Sequence, residues 1–287
     1  MKETKTILKF IMDFILALSV TVFLLIHILS KTILSESYIL NTFNNKGYYD
    51  NVYELVESNF ENYIQQSGLN EDVLKNIVTI EMIEKDTKTI ISNIYDGFTD
   101  EVSTEQLEKQ LENNIKKSLK NRSLSAEETK AIKEYISKIS KEYRDTISNF
   151  QIENQIYSHF KSIKKYTNIG KTTAVLVMGC SIIAILLLNL KKLYRVFSNI
   201  GISSFASGSI LTIIYIYINT KVKVQNLSIL NDAISDIIQD IAQSILGDII
   251  KYGALLLIAG IILIAIPTVI HNYSNYKKKI KKSEDSF

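Results

Sequence analysis

Few residues in this 287-residue chain could do chemistry, and those that could are widely separated. The three histidines, His27, His159 and His271, lie far apart in the sequence, and the only cysteine is Cys180. There is no HExxH or CxxC motif, no serine–histidine–aspartate spacing and no glycine-rich loop that could cradle a phosphate. The sequence therefore predicts that the protein is not an enzyme and has no catalytic residues, no cofactor site and no metal site.

Two ionisable residues, Asp13 and His27, lie in the first apolar run of the chain. Helical geometry places them on nearly the same face, about 21 Å apart along the axis. Ionisable groups inside membrane helices usually belong to ion or proton paths. The preferred interpretation is that each lies near a membrane interface, where Asp13 can pair with Lys9 one turn away, because the later apolar runs contain no further charges.

A pattern of regularly spaced acidic residues comes late in the chain. Asp232, Asp236 and Asp240 recur at every fourth position, and Asp248 lies on the adjoining arc. Carboxylates on one helix face seldom converge to the six to eight or so oxygen ligands that calcium prefers, so this is interpreted as a solvated face. The opposite face is apolar throughout and comprises Leu230, Ile234, Ile237, Ile238, Ile241, Ile245, Ile249 and Ile250.

Four apolar segments approach the length of about 20 residues that a helix needs to cross a hydrocarbon core. The third is the shortest, and its serines at 203, 204, 207 and 209 would have to face other helices; three spans are the alternative. The first segment is longer than the apolar region of a signal peptide and has no cleavage site, so an uncleaved anchor is predicted. The four segments are Ile7–Ser30, Thr172–Leu190, Ile202–Ile218 and Tyr252–Ile270.

Basic residues flank these segments unevenly. Three basic clusters fall on one side of a four-span protein, which predicts cytoplasmic termini in the cell membrane; a fourth group at Lys161, Lys164, Lys165 and Lys171 opposes this. Anionic lipid head groups are the expected partner of the basic ends, and nucleic acid is not. The three clusters are Lys2, Lys5 and Lys9, then Lys191, Lys192 and Arg195, then Lys277, Lys278, Lys279, Lys281 and Lys282.

The longest polar stretch, residues 31–170, carries 18 Lys and Arg against 22 Asp and Glu. It contains helical patterns and none of period two, so the fold class is all-α: a four-helix membrane bundle with a large helical extracellular domain between spans 1 and 2. The predicted parts are 1–30 (cytoplasmic N-terminus and span 1), 31–170 (extracellular domain), 171–218 (spans 2 and 3), 219–251 (extracellular amphipathic helix packed on 31–170), 252–271 (span 4) and 272–287 (basic cytoplasmic tail).

Several helix boundaries can be predicted inside residues 31–170. The first span is expected to continue as helix to about Leu40, and Gly68 and Gly97 should end later helices. Ser103 with Gln106 and Ser125 with Glu128 both fit the capping box. No proline or glycine interrupts residues 125–169, which predicts one helix of about 65 Å joining the outer domain to span 2 as a lever. In the fourth span, Gly253, Ala259 and Gly260 should permit close helix contact.

Three stretches carry a resemblance: Tyr49–Leu55, Asn62–Leu69 with Val73 and Leu74, and Ile91–Gly97. In these the chain resembles a group of four-pass membrane proteins of Firmicutes that has no assigned activity. In that group a helical outer domain separates the first span from the other three, which implies the same topology here. The resemblance implies no mechanism.

A weaker likeness, in layout only, is to the permeases of the cell-division and macrolide-exporter ABC families. Those proteins transmit ATPase motion to an outer domain, but the short loop Lys191–Gly201 and the lack of outer strands depart from their pattern. The predicted function is therefore a non-enzymatic membrane protein that displays a helical extracellular domain for protein interaction or a structural role. The alternative is a permease-like mechanotransmitter or transport-associated subunit working with a separate ATPase.

Overall fold

The computed structural model of the chain describes residues 2–67, 70–98, 102–120, 123–148, 154–221 and 232–284. Within these ranges there are nine α-helices, one 3-10 helix at Glu71–Val73 and no strand, which confirms the all-α prediction. The helices are α1 (Lys2–Lys31), α2 (Glu36–Asn45), α3 (Tyr48–Ser67), α4 (Ile80–Asp96), α5 (Glu105–Ser118), α6 (Ala126–Ile147), α7 (Asn154–Leu188), α8 (Tyr194–Lys221) and α9 (Asp232–Glu284).

Four helices are long and apolar enough to cross a membrane, as the sequence predicts. They contain the segments Thr4–Lys31, Ser162–Leu188, Tyr194–Lys221 and Ser235–Pro267. The third, predicted to be the shortest, is a helix of 28 residues. The predicted fourth span and the described part of the predicted amphipathic helix form one continuous helix, α9, which also contains Pro267; residues 222–231 lie outside the described residues.

The chain divides into two compact units. The first comprises Met1–Leu34, Lys164–Leu227 and Ile238–Phe287, and the second comprises Ser35–Ile163 and Ser228–Ile237. In the first unit α1 packs against α8. Buried contacts there centre on two groups: Leu16, Ile185 and Val196, and Ile28, Leu211 and Ile249.

Glycines bring α8 and α9 together in the first unit. A methyl group added at Gly208 would lie 2.7 Å from the carbonyl oxygen of Gly253, and one added at Gly260 would lie 2.8 Å from that of Gly201. Real side chains do not tolerate such distances to backbone, so these positions require glycine. The prediction of close contact is confirmed for Gly253 and Gly260.

The second unit has its own apolar core. It is built where α3, α4, α5 and α6 present their apolar faces to one another, because residues three and four apart share a helix face. Thr79 caps α4 by accepting a hydrogen bond from the Met82 N–H, and Gly97 ends α4 with φ of 77°. The fully buried members of the core include Val56, Ile83, Leu107, Leu111, Ile115, Ile139 and Ile147.

Three predictions about helix ends are wrong and two are confirmed, one of them the end of α4 at Gly97; the end predicted at Gly68 lies outside the described residues. The capping box of Ser125 with Glu128 is present. Ser103 does not cap α5, because the N-cap position is Thr104, whose hydroxyl donates to Glu108 instead. The first helix ends at Lys31, and Ser35 caps a new one. The predicted lever of residues 125–169 is interrupted, since α6 ends at Ile147 and α7 begins at Asn154.

Candidate functional site

A row of polar side chains joins α1 to α8 in the first unit. Asn199 donates its side-chain N–H to Asp13 Oδ2 at 3.2 Å, and the Ser203 hydroxyl donates to the Asp13 carbonyl at 2.9 Å. One turn further along, the Ser207 hydroxyl donates to the Ala17 carbonyl at 2.7 Å. The second carboxylate oxygen, Asp13 Oδ1, is buried without a hydrogen-bond partner. Asp13 therefore lies in a helix interface and not in a purely aqueous surrounding.

Lys9, predicted to pair with Asp13, interacts with that carboxylate electrostatically and makes its hydrogen bond to a more distant residue. Lys9 Nζ donates to Asn189 Oδ1 at 2.5 Å, and the Asn189 side-chain N–H donates to the Ile185 carbonyl at 2.8 Å. Asn189 is 3% exposed at the start of the tight turn between α7 and α8. This contact fixes the first turns of α1 against that connection.

His27 lies in an aromatic setting. Its ring stacks on Phe23 and meets the edge of Tyr252 on α9, with ring centroids 6.1 Å and 6.3 Å away. Neither of these ring contacts connects His27 to Asp13. The arrangement anchors α1 against α9 and provides no chain of ionisable groups between the two residues.

The acidic positions of α9 do not converge. Asp236 is exposed, and Asp248 pairs with Lys31 of α1 at 3.7 Å. Among the residues that the structure describes, no group of three His, Cys, Asp or Glu side chains could hold a metal ion. Cys180 is exposed on α7. The side chains of Asp232, His159 and His271 lie outside the described residues.

Inside the second unit, one buried tyrosine is bound to a carboxylate. The Tyr143 hydroxyl of α6 donates to Asp86 Oδ2 of α4 at 2.7 Å. Burial raises the pKa of Asp86 above its usual range, and the hydrogen bond from Tyr143 opposes this only in part. Burial, with the same hydrogen bond, also raises the pKa of Tyr143, so this phenol keeps its proton.

Glu142 makes a second polar connection, between α6 and α3. Its two carboxylate oxygens accept from the Asn59 side chain at 3.1 Å and from the Tyr63 hydroxyl at 2.9 Å. Asn59 also donates to the Thr146 hydroxyl at 3.2 Å. These bonds fix the register of the two helices, and both this carboxylate and that of Asp86 are occupied by structural contacts.

The surface of the second unit has a groove between α5 and α6. It is a cavity of about 490 Å³. Its accessible apolar floor consists of Leu124, Ile132 and Ile136, which lie over the buried Ile115, and its charged lining comprises Glu105, Glu108, Lys109, Glu112, Lys116 and Lys133. An apolar floor with charges of both signs around it is suited to binding an amphipathic protein segment.

The sequence indicated part of this picture. The serines at the start of the third apolar segment were expected to face other helices, and Ser203 and Ser207 do so with 1% and 0% exposure. Asn189 and Asn199 were not predicted to make structural contacts. The sequence pattern that could have indicated them is that each is an isolated amide side chain at the end of an apolar segment. No family model, no curated protein and no solved structure matches this chain.

Proposed function

We propose that this chain is a non-enzymatic integral membrane protein that holds its second unit outside the cell as a binding surface for another protein. The observation that carries the proposal is the α5–α6 groove, whose apolar floor lies on a unit with its own buried core. The basic ends of the apolar helices support cytoplasmic termini, because Lys and Arg near span ends favour the inner side.

The partner that fits this groove is a protein segment folded as an amphipathic helix. Ile132 and Ile136 lie one turn apart on α6 and are half-buried, so a helix laid along α6 would cover them with its own apolar stripe. The Glu and Lys side chains of the charged lining would meet opposite charges on that helix and fix its direction.

Cysteine labelling in intact cells tests the sidedness. In a Cys180→Ser background, a single cysteine is placed at the exposed Ser103 of the second unit or at the exposed Leu193 of the α7–α8 turn. A membrane-impermeant maleimide should label the first before permeabilisation and the second only afterwards. The opposite order would overturn the proposed topology.

Photo-cross-linking in cells tests the groove. A photoreactive amino acid at Ile136 should give an adduct of one defined mass, and the same amino acid at the exposed Lys138, on another face of α6, should not. Adding Ile132→Glu should abolish the adduct, since a charge on the groove floor must be desolvated when an apolar segment binds. Equal adducts at both positions would show that the groove is not the binding surface.

A second candidate function is a role in transport, either by the chain alone or as a subunit working with a separate ATPase. The observation that favours it is the Asp13 carboxylate at the α1–α8 interface, since ionisable groups within a span often mark ion or proton paths. Reconstituted protein would then carry a current or a proton flux that the Asp13→Asn variant lacks. Equal flux in liposomes with and without the protein would remove this candidate.

A further inference from the structure

We propose that the α7–α8 turn and the first turns of α1 form one binding site for the phosphate of an anionic phospholipid. The inference rests on the proposed membrane placement, with this end of the helices at the head-group level. Composition alone predicts that anionic lipid is attracted to every basic end of the chain, whereas this proposal assigns the lipid to one defined location.

The structure brings two separate basic segments together at this site. Lys9 of α1 donates to Asn189 at 2.5 Å, and Lys191 and Lys192 follow Asn189 immediately. The turn is tight, because the Lys192 N–H donates to the Asn189 carbonyl at 2.7 Å and the Arg195 N–H donates to the Lys192 carbonyl at 2.9 Å.

The bond to Asn189 prepares Lys9 for an anion. An ammonium group has three N–H donors, and Asn189 accepts from only one of them. A lysine already tethered loses less side-chain freedom when it binds a phosphate oxygen, which favours binding. Arg195 adds a planar guanidinium that can meet two phosphate oxygens at once.

The charge around the site is predominantly positive. Residues 4–12 and 186–200 contain Lys5, Lys9, Lys191, Lys192 and Arg195 and no Asp or Glu. The nearest carboxylate in the first helix toward the membrane is that of Asp13, which accepts from Asn199. The side chain of Glu3 lies outside the described residues.

Exposed apolar side chains alternate with these basic residues. Leu190, Leu193 and Phe197 are 64%, 57% and 52% exposed. Such residues next to Lys and Arg match a lipid molecule, whose phosphate meets the basic groups while its acyl chains cover the apolar ones. Free phosphate would leave those apolar side chains uncovered, so the proposal commits to a lipid.

Lipid affinity of the full-length chain in non-ionic detergent tests the proposal, with phosphatidylglycerol as the probe. Phosphatidylcholine and inorganic phosphate are the comparison ligands. The triple variant Lys191→Gln, Lys192→Gln, Arg195→Gln should bind phosphatidylglycerol about 100-fold more weakly, since each basic residue near anionic lipid contributes about fivefold. The matched control, Lys277→Gln, Lys278→Gln, Lys279→Gln, removes the same charge from the tail and should keep the affinity.

A variant that leaves the net charge unchanged separates a built site from general attraction. Asn189→Leu removes the tether of Lys9, and we expect weaker phosphatidylglycerol binding with circular dichroism unchanged. Equal losses in the turn and tail variants, or no loss for Asn189→Leu, would overturn the proposed site. Binding of inorganic phosphate as tight as that of the lipid would overturn it as well. None of these outcomes bears on the α5–α6 groove, so the protein-binding proposal is tested separately.

Discussion

At the scale of single residues, several of the buried polar groups hold helices to one another. Asp13, Asn199, Ser203 and Ser207 connect α1 with α8 in the first unit, and Tyr143 connects α6 with Asp86 in the second. Buried polar groups need such partners, because an unpaired one costs about 1–3 kcal/mol. These groups therefore stabilise the packing of the helices, and two of them, Asp86 and Ser207, can be tested by substitution.

The first concerns Asp86. Its carboxyl binds a proton more tightly in the folded chain than in the unfolded chain, where the ordinary value of 3.8 applies. The folded state therefore loses stability as pH rises above that value. Asp86→Asn does not titrate and still offers an oxygen to Tyr143. Its free energy of unfolding relative to the parent chain should therefore rise as the pH increases above about 3.8.

Denaturant unfolding of the full chain in non-ionic detergent, followed by circular dichroism, measures this difference. Asp72→Asn is the control, because Asp72 is exposed and also lies in the second unit. A relative stability of Asp86→Asn that does not change with pH would mean that the carboxyl is equally solvated in the folded and unfolded chains.

The second residue-scale prediction compares two serines of α8. Ser207→Ala removes a hydrogen bond to Ala17 of another helix, whereas Ser209→Ala removes one to Phe205 of the same helix. Hydrogen bonds between membrane helices contribute about 0.6 kcal/mol on average and at most about 1.7. Ser207→Ala should lower the stability in detergent by such an amount and Ser209→Ala by less. A reversed order would contradict the assigned interface.

At the scale of elements, the close crossing of α8 and α9 depends on glycine. Gly208→Ala would place a methyl group 2.8 Å from the backbone nitrogen of Leu257 as well as against Gly253. Because the clashing atoms are backbone, the helices must separate, at a cost of about 1–3 kcal/mol. Thermal unfolding in detergent should show the loss.

Gly179→Ala on α7 is the matched control for that substitution. Nothing lies within 4 Å of a methyl group at Gly179, and the residue is exposed. Alanine is a better helix former than glycine, so this variant should be as stable as the parent chain or slightly more so. Equal destabilisation by both variants would mean that α8 and α9 do not approach at Gly208.

Local signals in the sequence predicted many of the elements and few of their contacts. The Ser125–Glu128 capping box and the end of α4 at Gly97 could be predicted because both depend on residues a few positions apart. The interruption after Ile147 could not, since no proline or glycine marks it. The bond between Asn199 and Asp13 spans 186 positions, and no local pattern encodes such a separation.

At the scale of the whole molecule, the two units have separate buried cores, and we expect their stabilities to respond separately. Leu111 is fully buried in the second unit, so Leu111→Ala should destabilise that unit by about 2–5 kcal/mol. Hydrogen exchange of the full chain should then accelerate in α4, α5 and α6 and stay unchanged in α8. Equal acceleration in α8 would indicate one cooperative unit.

The length of α9 has a further consequence. Its apolar segment Ser235–Pro267 has 33 residues, which is about 50 Å of helix. The hydrocarbon core is about 30 Å thick, and even a steep tilt of about 40° accommodates only about 39 Å of helix. If this segment crosses the membrane, roughly a quarter of its length must therefore lie outside the hydrocarbon core. At the start of the segment, Ser235 and Ile237 belong to the second unit and are 5% and 2% exposed, whereas Asp236 between them is exposed, as expected for an amphipathic stretch outside the hydrocarbon core.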